Sequence, residues 1–237
     1  MRSNITRTVS EPSGERNRSK LFIFLALTAA CTLGGCATGG TQVKDTTRTF
    51  NTVVIDAGHG GHDAGATSRW GGREKNNNLD VAQRLDARLR AVGFKTVLTR
   101  QNDTFIPLDK RASISNRQNN ALFVSVHFND SPSKAVSGAE VYYKSPVSRG
   151  LAQRVLQNID GVPGASARYV KTANFRVLRL NQNPAVLVEC GYLSNRTEGA
   201  RCGSAIYRER IAGAIATALM EQRGKTAPTG GPVVAAR

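Results

Sequence analysis

Short apolar runs alternate with amphipathic stretches along most of the chain, and this alternation predicts an α/β fold. The predicted strands are residues 50–56, 94–99, 121–128, 138–144, 175–179 and 184–191. The predicted helices are residues 77–91, 107–119, 147–159 and 205–222. Several runs are continuous in Val, Ile, Leu and Ala, as in strands buried on both faces. The pattern therefore predicts a single domain with a twisted, mostly parallel (mixed) sheet of about six strands and helices on both faces.

The first 35 residues have the organisation of a signal peptide. Basic residues precede the apolar stretch "LFIFLALTAACTLGGC", whose apolar core is short for a permanent membrane span. Its end, Leu33-Gly34-Gly35-Cys36, resembles the lipobox of bacterial lipoproteins, which predicts that Cys36 is lipidated and becomes the new N-terminus. Ordinary cleavage nearby is the alternative. Ala37 after the cysteine favours the outer membrane over the inner membrane if the cell is diderm.

Composition and charge suggest how the rest of the chain, after residue 35, is organised. Residues 36–49 are predicted to be a polar tether, residues 50–223 a catalytic domain and residues 224–237 a disordered tail. The whole chain carries a net charge of +16, and without residues 1–35 it has 28 Lys and Arg against 15 Asp and Glu, or +13. This charge suits a polyanion. Because the chain has few aromatic residues and no nucleic-acid-binding motif, an envelope polymer or anionic lipid is favoured over nucleic acid.

Two cysteines lie in the predicted domain. Cys190 and Cys202 are twelve positions apart in a chain predicted to be exported, so a disulfide between them is one interpretation. The alternative is that both are small buried apolar residues.

Polar residues close three of the apolar runs. Asp56 and His59 follow the first predicted strand, His127 ends the third and Glu189 ends the sixth. Ligands of open α/β sheets gather beyond the carboxyl ends of the strands, so these groups are expected to converge. Two imidazoles and one carboxylate form a known catalytic zinc set, with His59 and His127 as the nitrogen ligands. Spacing leaves the carboxylate open among Asp56, Asp63, Glu74 and Glu189.

Four segments, in this order, resemble the zinc-dependent N-acetylmuramoyl-L-alanine amidases of the amidase_3 family. They are "VVIDAGHGGHDAGA", "REKNNNLDVAQRL", "SVHFND" and "PAVLVECGYLSN", and the resemblance spans roughly residues 52–222. It implies that His59, Glu74 and His127 bind one catalytic Zn²⁺. It also implies that Glu189 is the catalytic glutamate.

The neighbouring polar residues receive other roles. His62 is interpreted as a polar loop residue and Asp63 as a group that organises the loop. Asp56 is interpreted either as a partner that hydrogen-bonds a ligand histidine or as a strand cap.

The resemblance implies hydrolysis of the amide bond between the N-acetylmuramic acid lactyl group and L-alanine, with peptidoglycan as substrate. The membrane would be reached through the lipid anchor on Cys36, which predicts the periplasmic face of the outer membrane in a diderm cell and secretion otherwise. The short interval between His127 and Glu189 predicts a site without a covering regulatory helix. Two alternatives are another zinc amide hydrolase, such as a peptidase or deacetylase, and a non-catalytic wall-binding protein on the same fold.

Overall fold

A six-stranded sheet forms the centre of the structure, a computed structural model in which residues 42–224 are described. In spatial order its strands are β4 (Lys95–Leu98), β1 (Thr52–Ala57), β5 (Ala121–Asn129), β8 (Ala185–Tyr192), β6 (Ala139–Tyr143) and β7 (Ala167–Thr172). The first four strands are parallel, whereas β6 runs antiparallel to β8 and β7 runs parallel to β6. The sheet is therefore mixed and mostly parallel, as predicted.

Six helices and one small hairpin complete the described region. The helices are α1 (Glu74–Ala91), α2 (Leu108–Asn116), α3 (Arg149–Asp160), α4 (Arg176–Arg179), α5 (Arg196–Cys202) and α6 (Ala205–Gln222). The hairpin pairs β2 (Thr67–Ser68) with β3 (Gly72–Arg73), and a 3₁₀ turn at Pro146–Ser148 precedes α3. Within residues 42–224, no helix has the length and apolarity needed to cross a membrane.

The two faces of the sheet are covered unequally. Residues of α1, α3 and α6 form a large apolar cluster with alternate strand residues such as Val124, Val126 and Val188. The opposite face carries a smaller cluster, in which Phe123 and Leu187 pack against α4. Because side chains alternate along a strand, His127 and Glu189 project from the second face, beyond the smaller cluster. The thinner cover on this face leaves room for a site.

One predicted strand is wrong. The stretch 175–179, "FRVLR", contains the helical turn α4, which buries Val177 and Leu178 side by side. One edge of the sheet is formed by β7, in a stretch for which the sequence predicts no strand. Edge strands carry charged and exposed residues, here Arg168 and Lys171, so the apolar signal of β7 is weak.

Several boundaries also differ. Helix α1 begins at Glu74, three residues before the predicted start, since an acidic residue in the first turn favours a helix N-terminus. Strands β5 and β8 continue beyond His127 and Glu189, to Asn129 and Tyr192. Helix α5 was not predicted, although the Asn195 side chain accepts a hydrogen bond from the Glu198 amide and caps it.

The predictions for both termini lie mainly outside the described residues. These include the signal peptide, the lipidation of Cys36 and nearly all of the predicted tail at 224–237. Residues 42–49 of the predicted tether contain no helix or strand but contact the domain. The Lys44 amide donates to Gln182 O at 2.9 Å, and the Thr46 hydroxyl donates to Ala121 O at 2.7 Å.

Candidate metal centre and cleft

Three side chains from separate elements converge at the carboxyl edge of the sheet. His59 lies in the loop after β1, Glu74 is the first residue of α1, and His127 lies near the end of β5. One ligand atom from each lies within 4.8 Å of the others. The Glu74 carboxylate lies between the two rings, 3.1 Å from His59 Nε2 and 2.9 Å from His127 Nδ1. Two nitrogens and one carboxylate in this arrangement match the donor set of a catalytic zinc.

The loop after β1 is shaped around these side chains. A Cβ on Gly58 would lie 2.3 Å from His127 Nε2, and a Cβ on Gly65 would lie 2.4 Å from a Glu74 carboxylate oxygen. Glycine is therefore required at both positions for the ligands to approach. His59 itself has a φ of 59°, a conformation that non-glycine residues rarely adopt. Such strain concentrates at functional sites, where surrounding contacts enforce it.

The electrostatics of the centre favour a cation. Burial alone would lower the pKa of His59, but the carboxylates of Glu74 and Asp63 raise it to about 9. Burial opposes ionisation of Glu74, yet the imidazoles of His127 and His59 keep its pKa well below the ordinary value. The centre therefore presents ionised carboxylate oxygen to the space between the rings. The same surroundings that hold a proton on His59 suit a divalent metal ion in its place.

Asp63 and His62 have different neighbours, although they are adjacent in the loop. Asp63 Oδ2 lies 2.8 Å from His59 Nδ1, and its Oδ1 accepts a hydrogen bond from the Gly65 amide. It therefore organises the loop, as expected, and also orients the imidazole, which the sequence reading did not foresee. His62 lies against the Phe105 ring, with centroids 4.2 Å apart. It does not belong to the group of candidate ligands.

Of the two interpretations of Asp56, the one in which it hydrogen-bonds a ligand histidine is wrong, because the side-chain hydrogen bonds of Asp56 in the described region go to other residues. This buried carboxylate accepts hydrogen bonds from Thr99 and Ser125, each at 2.7 Å, and pairs with Arg111 at 2.8 Å. It therefore acts on the site through Arg111. Burial opposes its ionisation, but Arg111 and the two hydroxyls keep the pKa of Asp56 below its ordinary value.

Arg111 was missed in the sequence, and it is the largest fully buried side chain of the described region. Its guanidinium donates to the carbonyl oxygens of Ala57 and His59, both at 2.7 Å. Arg100, also buried, donates to Ala57 O and to Gly58 O at 2.8 Å. These hydrogen bonds from two buried arginines stabilise the strained backbone of the loop after β1. The available signal was an arginine on the buried side of α2, next to Ala112.

Glu189 lies beside the three candidate ligands. It pairs in register with His127 across strands β5 and β8, so both side chains project from the same face. Its Oε2 is buried and has no hydrogen-bond partner among the described residues. Burial is the main cause that raises the pKa of Glu189 to about 7. A carboxylate of this basicity can accept and release a proton near neutral pH.

A cleft of about 500 Å³ opens over Glu189 and the two imidazoles. One wall comes from Phe105, Ile106 and Leu108, and the other comes from Phe175 and Val177. Arg176 pairs with Asp109 at 2.7 Å and thereby joins the two walls. The side chains of His59 and His127 remain 24% and 17% exposed, so solvent reaches the centre through the cleft.

Cys190 and Cys202 are both free and fully buried, so the structure contradicts the proposed disulfide. Both belong to the large apolar cluster, as the alternative interpretation states. Burial raises the pKa of each thiol well above its ordinary value. Because thiol–disulfide exchange requires a thiolate, this environment disfavours oxidation.

Comparison with known proteins identifies the family to which these residues belong. Residues 53–221 match the family model Amidase_3, described as N-acetylmuramoyl-L-alanine amidase. The N-acetylmuramoyl-L-alanine amidase LytC of Bacillus subtilis is 36% identical over 168 residues, which cover 69% of this chain. Those residues are 34% of LytC, so the chain spans about a third of that relative's length.

Solved structures extend the likeness to the fold. The amidase AmiC2 of Nostoc punctiforme superposes with a TM-score of 0.69 at 38% identity, covering 72% of this chain and 95% of the other. The catalytic domain of the amidase CwlV from Bacillus (Paenibacillus) polymyxa superposes with a TM-score of 0.67 at 36% identity, covering 73% and 97%. The family match, these likenesses and the converging His59, Glu74 and His127 lead to one assignment. The chain belongs to the Amidase_3 family of N-acetylmuramoyl-L-alanine amidases.

Proposed function

We propose that the protein is a zinc-dependent peptidoglycan amidase. It hydrolyses the amide bond between the lactyl group of N-acetylmuramic acid and the L-alanine of the stem peptide. The observation that carries this proposal is the placement of Glu189 in register beside His127, within a cleft whose floor also holds His59 and Glu74. Membership of the amidase family selects this amide among the bonds that such a centre could hydrolyse.

The residues present fit a zinc ion. His59, Glu74 and His127 would hold it, and the glycines at 58 and 65 leave the space that these side chains need. When bound, the metal would supply Lewis-acid polarisation of the lactyl carbonyl and acidify a water molecule. Asp63 and Arg111 contribute by fixing the His59 ring and its backbone carbonyl.

Glu189 performs the proton transfers in this proposal. Its carboxylate, which lines the cleft, takes a proton from the attacking water, and the water oxygen forms a bond to the carbonyl carbon. The same carboxyl group then gives the proton to the departing L-alanine amine as the amide C–N bond breaks. The products are a lactyl carboxylate on the glycan and a stem peptide with a free amino terminus.

The proposal also covers location. The lipobox-like Leu33–Cys36 supports a lipid anchor on Cys36, which would keep the enzyme at the cell envelope, on the periplasmic face of the outer membrane in a diderm cell. The net charge of +13 after residue 35 supports attraction to an anionic wall or membrane surface.

Digestion of purified peptidoglycan tests the activity. The zinc-loaded protein is incubated with intact sacculi, and the soluble products are identified by mass spectrometry. We expect free stem peptides that begin with L-alanine, together with glycan strands that have lost their peptides. His127→Ala, tested in parallel, is expected to release neither.

Other products would contradict the proposal in distinct ways. Cleavage within the stem peptide would indicate a peptidase, and loss of acetyl groups from the sugars would indicate a deacetylase. Sedimentation with sacculi without any release would indicate a wall-binding protein. Full activity of the zinc-free protein would contradict the metal requirement.

A further inference from the structure

A row of aromatic side chains continues the cleft across β6 and β7. Phe175 lines the cleft, and its ring centroid lies 5.1 Å from that of Tyr142. Tyr142 lies 6.3 Å from Tyr169, and both pairs meet edge to face. Glu140 pairs in register with both Glu189 and Tyr169, so these three side chains project from the same face of the sheet. This is the face that carries His127 and Glu189, and we call it the catalytic face. We call Phe175, Tyr142 and Tyr169 the aromatic strip.

The aromatic strip is accessible. Phe175 is 41% exposed, and the two tyrosines are half-buried. Helix α3 packs against β7 from the opposite face, where Val170 contacts the large apolar cluster. On the catalytic face, which carries Glu189, Tyr142 packs against the border of the smaller cluster and remains partly exposed. Exposed aromatic side chains next to a catalytic cleft are typical of ligand-binding surfaces.

A buried carboxylate fixes the strip in place. Glu140 is fully buried and accepts hydrogen bonds from the Tyr142 hydroxyl at 2.5 Å and the Tyr192 hydroxyl at 2.6 Å. The Arg168 guanidinium also donates to Glu140, at 2.6 Å, and the Asn129 amide donates at 3.4 Å. Because the Tyr142 hydroxyl is held internally, the ring presents its apolar surface in a fixed orientation. Such preorganisation reduces the entropy lost when a ligand binds.

The charge on the strip is modest. Arg168 is paired with Glu140, and its guanidinium lies 5.1 Å from the centroid of the Tyr169 ring. The Lys171 ammonium lies 3.8 Å from the same centroid. The strip therefore offers aromatic surface, and the exposed Lys171 side chain lies over the Tyr169 ring, where its ammonium can donate a hydrogen bond to a sugar. Sugar rings present apolar C–H faces that pack on aromatic rings, whereas stem peptides carry free carboxylates that require unpaired cations.

We infer that the aromatic strip binds the glycan strand of the substrate, next to the N-acetylmuramic acid whose amide is cleaved. This inference rests on the proposed amidase function and adds a specificity surface to it. Tyr169 and Tyr142 support sugars beyond the cleft, and Phe175 connects them with the cleavage site. The enzyme then acts more efficiently on long glycan chains than on short fragments.

Kinetics on soluble fragments test the inference. The zinc-loaded full chain is given two substrates with the same stem peptide, one on a disaccharide and one on an octasaccharide. We expect kcat/KM to be about tenfold higher for the octasaccharide, from two ring contacts. Tyr169→Ala, which removes one of the two ring contacts, is expected to lower this ratio to about threefold, and Tyr169→Phe is expected to retain the wild-type ratio. Ile206→Ala, on the exposed side of α6, is the control and keeps the wild-type ratio.

Phe175→Ala serves as a second variant on a different element, and thermal unfolding midpoints establish that each variant is folded. A wild-type ratio near one, or a ratio unchanged in both variants, would overturn the inference while leaving the amidase activity intact. A dependence on stem-peptide length that disappears in Tyr169→Ala would assign the strip to the peptide instead. If no fragment released a stem peptide, the proposed function itself would fail. In that case, calorimetry with peptide-free octasaccharide would still test the strip. Binding that Tyr169→Ala weakens would support the inference that the strip binds glycan.

Discussion

The Asp63 carboxylate lies 2.8 Å from Nδ1 of His59, which turns Nε2 of the same ring towards Glu74. A carboxylate in this position fixes the orientation and tautomer of a metal-binding imidazole, and its loss typically costs 10–100-fold in metal affinity, to order of magnitude, or about 1–3 kcal/mol. We therefore expect Asp63→Asn to bind zinc about 10–100-fold more weakly, measured by competition with a chromogenic chelator. The asparagine can still accept from the Gly65 amide, so the loop is retained. Asp130→Asn, at an exposed position, is the control. Equal zinc affinity of the two variants would contradict the role of Asp63 in orienting His59.

The buried pair of Asp56 and Arg111 predicts a pH dependence of stability. The pKa of Asp56 is lowered in the folded protein, so its contribution to the free energy of unfolding is present at neutral pH. The contribution declines as the pH falls below the unfolded value of about 3.9 and is lost once the pH passes the folded pKa. Asp56→Asn removes this titration and leaves the Arg111 charge unpaired, which costs about 3–5 kcal/mol at pH 7.

Urea unfolding between pH 7 and pH 2.5 measures this effect. We expect the difference in stability between wild type and Asp56→Asn to narrow on the acidic side of pH 4. Asp130→Asn, at an exposed position, is expected to follow the wild-type curve. A constant difference between wild type and Asp56→Asn across this range would show that folding does not lower the pKa of Asp56, and would contradict the role of the pair.

Strand periodicity was sufficient to locate three of the site residues. His59, His127 and Glu189 follow or end apolar runs, and the carboxyl ends of parallel strands meet at one edge of a sheet. Glu74 could not be selected in this way, because it begins a helix and reaches the site from outside the sheet. Only the resemblance to a family singled it out among four carboxylates.

Other residues were missed because their roles depend on tertiary contacts. Arg111 is 52 positions from His59, and nothing local indicates that its guanidinium supports the backbone of that residue. Glu140 was overlooked because β6 runs antiparallel, so its amino-terminal residues reach the edge where β8 presents Glu189. Local sequence shows neither the direction of a strand nor its neighbours in the sheet.

The two buried thiols give a third prediction. Cys190 and Cys202 are expected to resist alkylation in the native protein and to react fully in denaturant, because burial keeps both thiols protonated and inaccessible. Mass spectrometry of the peptides that contain them measures the labelling. A reducing agent is expected to leave the thermal unfolding midpoint unchanged. Recovery of a Cys190–Cys202 cross-linked peptide from unreduced protein would contradict the structure.

Glu189 gives the most direct test of the proposed proton transfers. Its Oε2 has no hydrogen-bond partner among the described residues, so Glu189→Gln removes the base without breaking an existing contact. We expect kcat for the release of stem peptides to fall by about 10²–10⁴-fold. Zinc content, measured by atomic emission, is expected to stay at one per chain, since Glu189 lies outside the group of candidate ligands.

The comparison with His59→Ala separates this role from metal binding. That variant is expected to lose both zinc and activity, whereas Glu189→Gln loses only activity. Glu221→Gln, which alters an exposed carboxylate paired with Arg154, controls for the loss of one negative charge. Retention of full activity by Glu189→Gln would exclude Glu189 as the base, because glutamine cannot accept a proton from water near neutral pH. Loss of zinc from Glu189→Gln would instead show that this carboxylate contributes to holding the metal.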